Sequence, residues 1–526
     1  MPLMQENLWS LLQPALRKYG GNPAWICRLR DRRRVVGYRQ LHDAALAAAA
    51  LLRERGVREG DSVAITAPNG PEFTAAALGA WKIGANVAPV HPGNSAHERA
   101  MQLRALAPAA LFMHGDADGQ ENSDGGEYAE KRMDIPMSCA PERAAAEAAR
   151  PAARGGDAVA LRVCTSGSAG APKIVRLSHA NLASNMRAAC KIGKFSARDR
   201  FISLLPFSHA MGLMGNMLLP LHHGAAIVTP RALAAAEILE ALQHENISVL
   251  IAVPRLFRNV MQGLEKKFRE GGAALGCYRA ALRRMPAPLR RRLNAPIRKK
   301  LGGRINAWVS GGSHLDARIS RYYHDLGLPL RQGYGLTETS PLACMQDEFD
   351  SAPESVGRPV DGVRVQIHAP DQAGCGEIWI AGPNVMLGYE DELQNREAMH
   401  DDWFKTGDLG RVDADGRVFL TGRLKRLIVT EAGKNVYPEE LETLLERDAA
   451  VKEAGVLEVA SRPACVLAMH ERREERAREA LAAFNKLVSK HNRITRFALV
   501  DELPRTPLGK MALRQLPEIF ARNEVK

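Results

Sequence analysis

The chain has 526 residues, 46% of them hydrophobic and 25% charged, enough to bury a large core and to divide into two or more compact units. No apolar run approaches the roughly 18 to 20 residues of a membrane span, and residues 1–20 lack the basic stretch, apolar core and cleavage site of a leader, which points to the cytoplasm. The eight cysteines show neither CxxC spacing nor histidines at metal-ligand intervals, which disfavours a disulfide framework and a zinc site. Only 5% of residues are aromatic and no helix-turn-helix, RRM or zinc-finger signature occurs, which argues against nucleic acid.

In chain order, residues 63–66 read as a strand ahead of the helical stretch 72–83. Residues 114–157 are rich in Gly, Asp, Glu and Ala with little apolar periodicity, and read as a loosely structured surface connection without chemistry. A strand at 159–163 leads into Cys164-Thr165-Ser166-Gly167-Ser168-Ala169-Gly170-Ala171-Pro172-Lys173. After Leu205-Pro206-Phe207-Ser208-His209, the Met- and Leu-rich stretch 211–219 reads either as plain core or as the lining of an apolar tunnel. A strand at 247–253 precedes a helix at 256–264. Beyond it the formal net charge of +13 concentrates in Arg279, Arg283, Arg284, Arg290, Arg291, Arg292, Arg298, Lys299, Lys300 and Arg304. Such a run is a solvated helical face, or a field for phosphates, an acidic carrier protein or an anionic membrane surface. Strands at 307–309 and 328–331 continue an alternation that implies an α/β fold, parallel sheets covered by helices.

Near the end the texture changes. Asp415-Gly416 signals a hairpin, 418–421 and 426–430 read as strands, and 438–447 and 474–491 read as helices of a small α+β unit. The expected division falls at 422–425, giving a large N-terminal domain, 1–422, and a small C-terminal domain, 423–526.

Several segments have the composition of binding loops. Thr165, Ser166, Gly167, Ser168, Gly170 and Lys173 are the parts of a phosphate cradle: glycines admit backbone N–H groups, hydroxyls donate, and the lysine adds a compact charge. The spacing is not GxxxxGK[ST], which excludes a Walker loop; a flexible Ser/Gly turn stays open on these residues alone. Gln332-Gly333-Tyr334-Gly335-Leu336-Thr337-Glu338-Thr339-Ser340 follows the strand at 328–331 and by itself also reads as a turn capped at a helix start. Ser310-Gly311-Gly312 is a small-residue turn at a strand end. Trp403-Phe404-Lys405-Thr406-Gly407-Asp408 places a carboxylate before a hairpin, and Arg505-Thr506-Pro507-Leu508-Gly509-Lys510 is a Pro- and Gly-held loop whose lysine is exposed by default.

In their order and spacing these segments resemble the adenylate-forming (AMP-binding) superfamily. Val253-Pro254-Arg255-Leu256-Phe257, the basic insertion after Leu264, and Gly433-Lys434-Asn435-Val436-Tyr437-Pro438 are similar to its bacterial long-chain fatty-acyl-CoA synthetases. The resemblance implies a large adenylate-forming domain with helix-covered sheets and a small mobile α+β C-terminal domain. It implies ATP-dependent activation of a carboxylic acid, a medium- or long-chain fatty or other hydrophobic one, to acyl-AMP with pyrophosphate release, then transfer to the thiol of CoA. By resemblance the 165–173 loop holds the β- and γ-phosphates, and Gly311 and Gly312 let the adenylate lie against the backbone. Tyr334, between Gly333 and Gly335, stacks on adenine, Thr337 hydrogen-bonds the phosphate or carboxylate, and Glu338 ligates Mg²⁺, a hard cation that suits an oxygen ligand. His209 borders the carboxylate pocket. Asp408 binds both ribose hydroxyls, which one carboxylate can accept together, and Arg423 touches ribose or phosphate. Lys425 is the hinge, and Lys510 bridges carboxylate and phosphate oxygens during adenylation and swings out for thiolation.

Three positions depart from the family pattern. Ala169 replaces a usual Thr, removing a donor worth about 1.5–3 kcal/mol to a charged group; Ile174 replaces Gly; Arg426 replaces an acidic residue. The stretch 457–469, near the acceptor tunnel in relatives, is shorter than in most of them. The acceptor is therefore open between CoA and the phosphopantetheine arm of an acyl-carrier protein docking on the basic run, and the acid is open to aryl acids or another oxyanion. A non-catalytic nucleotide- or acyl-AMP-binding relative is the alternative of a different class.

Overall fold

Where the sequence alternates β-branched runs with helical stretches, the computed structural model forms strands buried on both faces, as parallel sheets require. It describes residues 7–29, 32–114, 129–138, 141–150, 155–165, 172–270, 285–348, 350–430, 434–505 and 511–525. The chain packs as two compact units, residues 1–364 with 380–404, and residues 365–379 with 405–526. Among the described residues no helix is long and apolar enough to cross a membrane.

The first unit holds, in chain order, β1 (Pro23–Arg28), β2 (Arg33–Gly37), β3 (Ser62–Thr66), β4 (Asn86–Pro89), β5 (Ala110–Met113), β6 (Arg132–Asp134), β7 (Val159–Thr165), β8 (Lys173–Ser178), β9 (Arg200–Ile202), β10 (Ala226–Thr229), β11 (Val249–Ala252), β12 (Ala307–Ser310), β13 (Leu330–Tyr334), β14 (Cys344–Met345) and β15 (Arg358–Pro359). One sheet has the order β15-β14-β13-β12-β11-β9-β10-β1-β2; the other runs β8-β7-β4-β3-β5-β6, with Gly388–Tyr389 beyond β8. β13, β12, β11, β9, β10 and β1 are parallel, as are β7, β4, β3, β5 and β6. Antiparallel β2, β14 and β8 flank these cores. Parallel strands deliver their carboxyl ends to one edge, where ligands bind in open α/β sheets. At that edge lie the segments following β9, β11, β12 and β13, which contain His209, Val253, Gly311-Gly312 and Gly335 to Glu338.

The helix Pro71–Lys82 is buried along its whole length, as a helix wedged between other elements must be. Gly79 permits the closest approach, since a Cβ there would lie 2.7 Å from Ala48 Cβ of the Ala-rich helix Tyr38–Glu54. The helix His179–Ile192 starts on a histidine that is 1% exposed. Leu8 N donates to its Nδ1 at 3.1 Å, and burial lowers its pKa to about 3 from 6.5. A proton there favours the unfolded chain, so stability is full above about pH 6.5 and is lost as pH falls toward 3. The expected slope is up to about 1.4 kcal/mol per pH unit. Thermal unfolding between pH 7 and 4 checks it, and His179→Gln is expected to flatten that dependence.

Some sequence expectations change. The 114–157 connection contains β6, which extends the second sheet, and the helix Pro141–Ala149. Glu147 of that helix is 2% exposed and lies 4.0 Å from Lys82 Nζ, itself 1% exposed. Apolar periodicity missed it because the buried anchor is an ion pair. The strand expected at 426–430 is instead a 3₁₀ turn, Leu424–Arg426, followed by the two-residue strand Ile428–Val429 paired with Asn435–Val436.

In the second unit, Val451–Val459 and Arg462–Met469 form an antiparallel hairpin, and Phe497–Val500 joins in parallel. Cys465, Leu467 and Met469 pack under the helices Pro438–Leu445 and Glu474–Leu487. The alternate residues Ala464, Val466 and Ala468 pack under Leu516 and Phe520 of Leu516–Asn523, the period-2 signature of a strand covered on both faces. The helix expected to reach 491 stops at Leu487, and residues 490–492 form a separate turn.

Candidate active site

The phosphate-loop residues Ser166, Gly167, Ser168 and Gly170 lie outside the described residues, as do Ala169 and Lys510. Both feet of the loop are described: Thr165 and Lys173 are register partners across the antiparallel β7/β8 pair, and Thr165 Oγ1 donates to Lys173 O at 3.4 Å. The loop is thus the connection of a hairpin, consistent with its failure to match the strand-loop-helix of a Walker site. Ile174, 7% exposed, packs with Ala64, Ala88, Leu103 and Leu111. Its side chain fills core, so this departure from glycine has a packing reason.

The segment expected to follow a strand is partly the strand itself, because β13 runs through Gln332, Gly333 and Tyr334. Pairing with β14 sets Tyr334 opposite Cys344. The chain then turns at Gly335 (φ +159°), where a Cβ would sit 2.0 Å from Pro341 O, and enters the 3₁₀ turn Thr337–Thr339. Leu336 N donates to Thr339 Oγ1 at 2.9 Å, and Asn185 and Asn384 both donate Nδ2 to Thr339 O and Leu342 O. Gly335→Ala is expected to cost about 1–3 kcal/mol of stability through backbone strain. Gly263→Ala, in an exposed helical position with nothing within 4 Å of its Cβ, is expected to gain about 0.5–1 kcal/mol. Denaturant midpoints of both variants check the contrast.

Gly311 and Gly312 follow β12, and a Cβ on Gly311 would meet Met211 Sδ at 2.8 Å. Met211 therefore lies against this turn. His209 caps the helix Ala210–Leu213 and sits half-buried. Its turn is held by Asn69, which sequence reasoning missed: Nδ2 donates to Ser203 Oγ and Leu205 O, and Oδ1 accepts from Phe207 N.

Glu338 meets a partner from distant sequence, Tyr389, which in turn meets Lys173. Tyr389 Oη donates to its Oε1 at 2.7 Å, and Lys173 Nζ lies 4.8 Å from the centre of the Tyr389 ring. Burial, then the adjacent Glu338 carboxylate, push the Tyr389 phenol well up. Among the described residues Glu338 Oε2 takes no hydrogen bond, and no cluster of three or more His, Cys, Asp or Glu could hold a metal. One carboxylate with a free oxygen fits Mg²⁺, which keeps several waters and binds through one or two carboxylates plus phosphates.

In the second unit, Asp408 and Arg423 are register partners on the hairpin of Trp403–Val412 and Val418–Arg423, with Arg423 Nε 2.6 Å from Asp408 Oδ1. Asp408 is almost fully buried and Arg423 half exposed. Thr406 Oγ1 accepts from Asp408 N and donates to Ile378 O, fixing the carboxylate's backbone. Lys425 is exposed on the 3₁₀ turn. The basic run is less open than its charge suggests: Arg290 lies 3.7 Å from Asp325, and Arg298 donates to Gly327 O and Ile305 O.

Comparison with known proteins makes this chain an AMP-forming acid–thiol ligase, and a Bacillus subtilis O-succinylbenzoate CoA synthetase that matches its fold is solved in complex with ATP and magnesium ion. The profile of the AMP-binding enzyme family matches residues 12–390, and the chain belongs to that family. It is 28% identical over 519 residues to an indoleacetate–CoA ligase of Aromatoleum aromaticum, covering 93% of this chain and 94% of that protein. It is 29% identical over 449 residues to a long-chain-fatty-acid–CoA ligase of Mycobacterium bovis, covering 78% and 73%. The fold matches the Bacillus subtilis o-succinylbenzoate CoA synthetase in complex with its acyl-adenylate intermediate, with TM-score 0.78, 24% identity and 98% of both chains covered.

Proposed function

We propose that this chain activates a hydrophobic carboxylic acid, alkyl or aryl, as its acyl-AMP and passes the acyl group to CoA. The observation that carries this reading is the meeting of Lys173, at the foot of the phosphate loop, with Glu338, beside the Gly-Tyr-Gly turn, around one tyrosine. In the first half-reaction a carboxylate oxygen attacks the α-phosphorus and the bond to pyrophosphate breaks. In the second a thiol attacks the acyl carbon and AMP leaves. Lys173 and the loop amides hold the departing phosphates, Tyr334 carries the adenine, and the Gly311-Gly312 turn admits the adenylate to the backbone. Asp408 accepts from the ribose hydroxyls, with Arg423 beside it to balance its charge. Glu338 would hold Mg²⁺, which when bound would supply positive charge to offset that developing on the leaving pyrophosphate. Thr337 and His209 line the reacting carboxylate.

The test is pyrophosphate release from ATP and Mg²⁺ across fatty, aryl and small acids, with CoA, with a carrier protein and with neither. Release with long alkyl or aryl acids, raised by CoA, supports the reading. Stimulation by the carrier protein instead moves the acceptor to a phosphopantetheine arm, and silence across all acids removes the catalytic reading.

A further inference from the structure

We infer that Tyr389 is a positioning residue for the metal-binding carboxylate, holding Glu338 in place with its hydroxyl while its ring keeps Lys173 from pairing with that carboxylate; this rests on the roles proposed above for Glu338 and Lys173. Glu338 and Lys173 carry opposite charges and both touch Tyr389, yet no ion pair joins them within 4.0 Å. The tyrosine divides them. Its hydroxyl donates to Oε1 at 2.7 Å, which leaves Oε2 for a cation, and its ring face carries the ammonium at 4.8 Å, within the range of a cation–π contact. A lysine paired directly with this carboxylate has to be separated from it before phosphate and metal can take their places; a lysine resting on a ring does not.

Tyr389 is built into this position. The short strand Gly388–Tyr389 pairs antiparallel with β8, with Tyr389 opposite Val175. Lys173 is the residue two before Val175, hence on the same face and diagonal to the ring, where long side chains reach one another. Glu390 N donates to Ile174 O at 3.0 Å, and Arg162 holds the Glu390 carboxylate at 2.6 Å. Asn395 locks the tyrosine's backbone from the other side: its Oδ1 accepts from Tyr389 N at 2.5 Å and its Nδ2 donates to Tyr389 O at 3.0 Å. This lock needs Gly388 (φ +127°), where a Cβ would lie 2.5 Å from Asn395 Oδ1. The same segment grips the turn that bears Glu338, since Met386 N donates to Glu338 O at 2.9 Å and Asn384 Nδ2 to Thr339 O at 3.1 Å. The tyrosine, the lysine and the glutamate are therefore fixed to one backbone framework. Partners that orient a metal's ligand typically change metal affinity by about 10–100-fold when removed.

The experiment compares the wild type, Tyr389→Phe, Tyr389→Leu and Glu338→Gln. Calorimetry measures Mg²⁺ binding in the presence of a non-hydrolysable ATP analogue, and pyrophosphate release is followed as a function of Mg²⁺. Tyr389→Phe keeps the ring and loses the hydroxyl. It is expected to weaken Mg²⁺ by about 10–100-fold, with kcat returning at saturating Mg²⁺. Tyr389→Leu also loses the ring and is expected to raise the KM for ATP in addition. Unchanged Mg²⁺ affinity in Tyr389→Phe, with affinity lost in Glu338→Gln, overturns the inference and leaves the role of Glu338 standing. Unchanged affinity in Glu338→Gln overturns both. A Tyr389→Phe enzyme whose kcat stays low at saturating Mg²⁺ also overturns the inference.

Discussion

Arg426→Ala is expected to destabilise the second unit by about 3–5 kcal/mol, the usual effect of removing one partner from a buried ion pair. That is a large share of the roughly 5–15 kcal/mol a domain has in total. The guanidinium is only 15% exposed and spans two carboxylates, at 2.9 Å from Glu439 and 2.6 Å from Glu442. It also donates to Val456 O at 2.9 Å, while Val456 N donates to Glu442 Oε1 at 2.8 Å. One side chain thereby ties the 3₁₀ turn Leu424–Arg426 to the helix Pro438–Leu445 and the strand Val451–Val459. Burial pushes the Glu442 carboxyl up to about 7 from 4.5, and the adjacent Arg426 charge opposes that rise. Without the arginine the folded-state pKa climbs further above its unfolded value. The folded variant then binds a proton that the unfolded chain has released, so its stability is retained at acid pH and lost as pH rises through the new pKa. The deficit relative to the wild type is expected to be small at pH 5 and large at pH 8. Amide exchange in residues 451–459 at the two pH values reads it locally. Arg426→Lys is expected to recover only part of it, because an ammonium cannot bridge both carboxylates in a planar fork. Exchange unchanged at pH 8 in Arg426→Ala would show that the cluster contributes nothing.

The departure at Arg426 shows what a linear reading can and cannot reach. Its motif position was legible; its partners, Glu439 and Glu442, are two of several acids on the helix Pro438–Leu445, a common feature that names no partner. The strands β3, β7, β11 and β12 were legible because β-branched and apolar runs mark strands buried in parallel sheets, whereas β13 was placed two residues early because its own residues, Leu330 to Tyr334, form no such run. β6 and the helix Pro141–Ala149 were not, since a three-residue strand has no period to read and the helix is anchored by Glu147 against Lys82. The turn between Val459 and Arg462 was equally silent: Ala460 and Ser461 both adopt positive φ, 52° and 55°, where Asn or Gly is the usual signal. In the active site, residues belonging to contiguous motifs could be named in advance. Tyr389, Asn69 and Asn395 could not, because each acts by reaching a motif from a remote loop, through one or two hydrogen bonds that leave no spacing in the sequence.

Lys510→Ala is expected to lower acid-dependent pyrophosphate release by about 10²–10³-fold, the range for deleting one donor to a developing charge, while slowing thiolysis of supplied acyl-AMP far less. The loop that carries this lysine, 506–510, lies outside the described residues, but its two ends do not. Arg505 and Met511 pair as an isolated antiparallel bridge, Ala512 N donates to Pro504 O at 2.8 Å, and Arg505 is salt-bridged to Glu453. Leu503 and Met511 join the apolar cluster under Leu516 and Phe520. The described ends of this segment are thereby fixed to the core of the second unit. An ammonium brought to the phosphorus as carboxylate attacks acts on charge that exists only in that transition state, and so appears in kcat rather than in ATP affinity. Thiolysis develops its charge on the acyl oxygen and the departing AMP instead. The proposal that the lysine serves one half-reaction predicts the asymmetry, and equal loss in both would mean that Lys510 acts on something common to them, such as the binding of AMP. Single-turnover measurements of the two half-reactions separate these cases, with Arg505→Ala, which breaks the clamp and keeps the cation, expected to reproduce the asymmetry in weaker form.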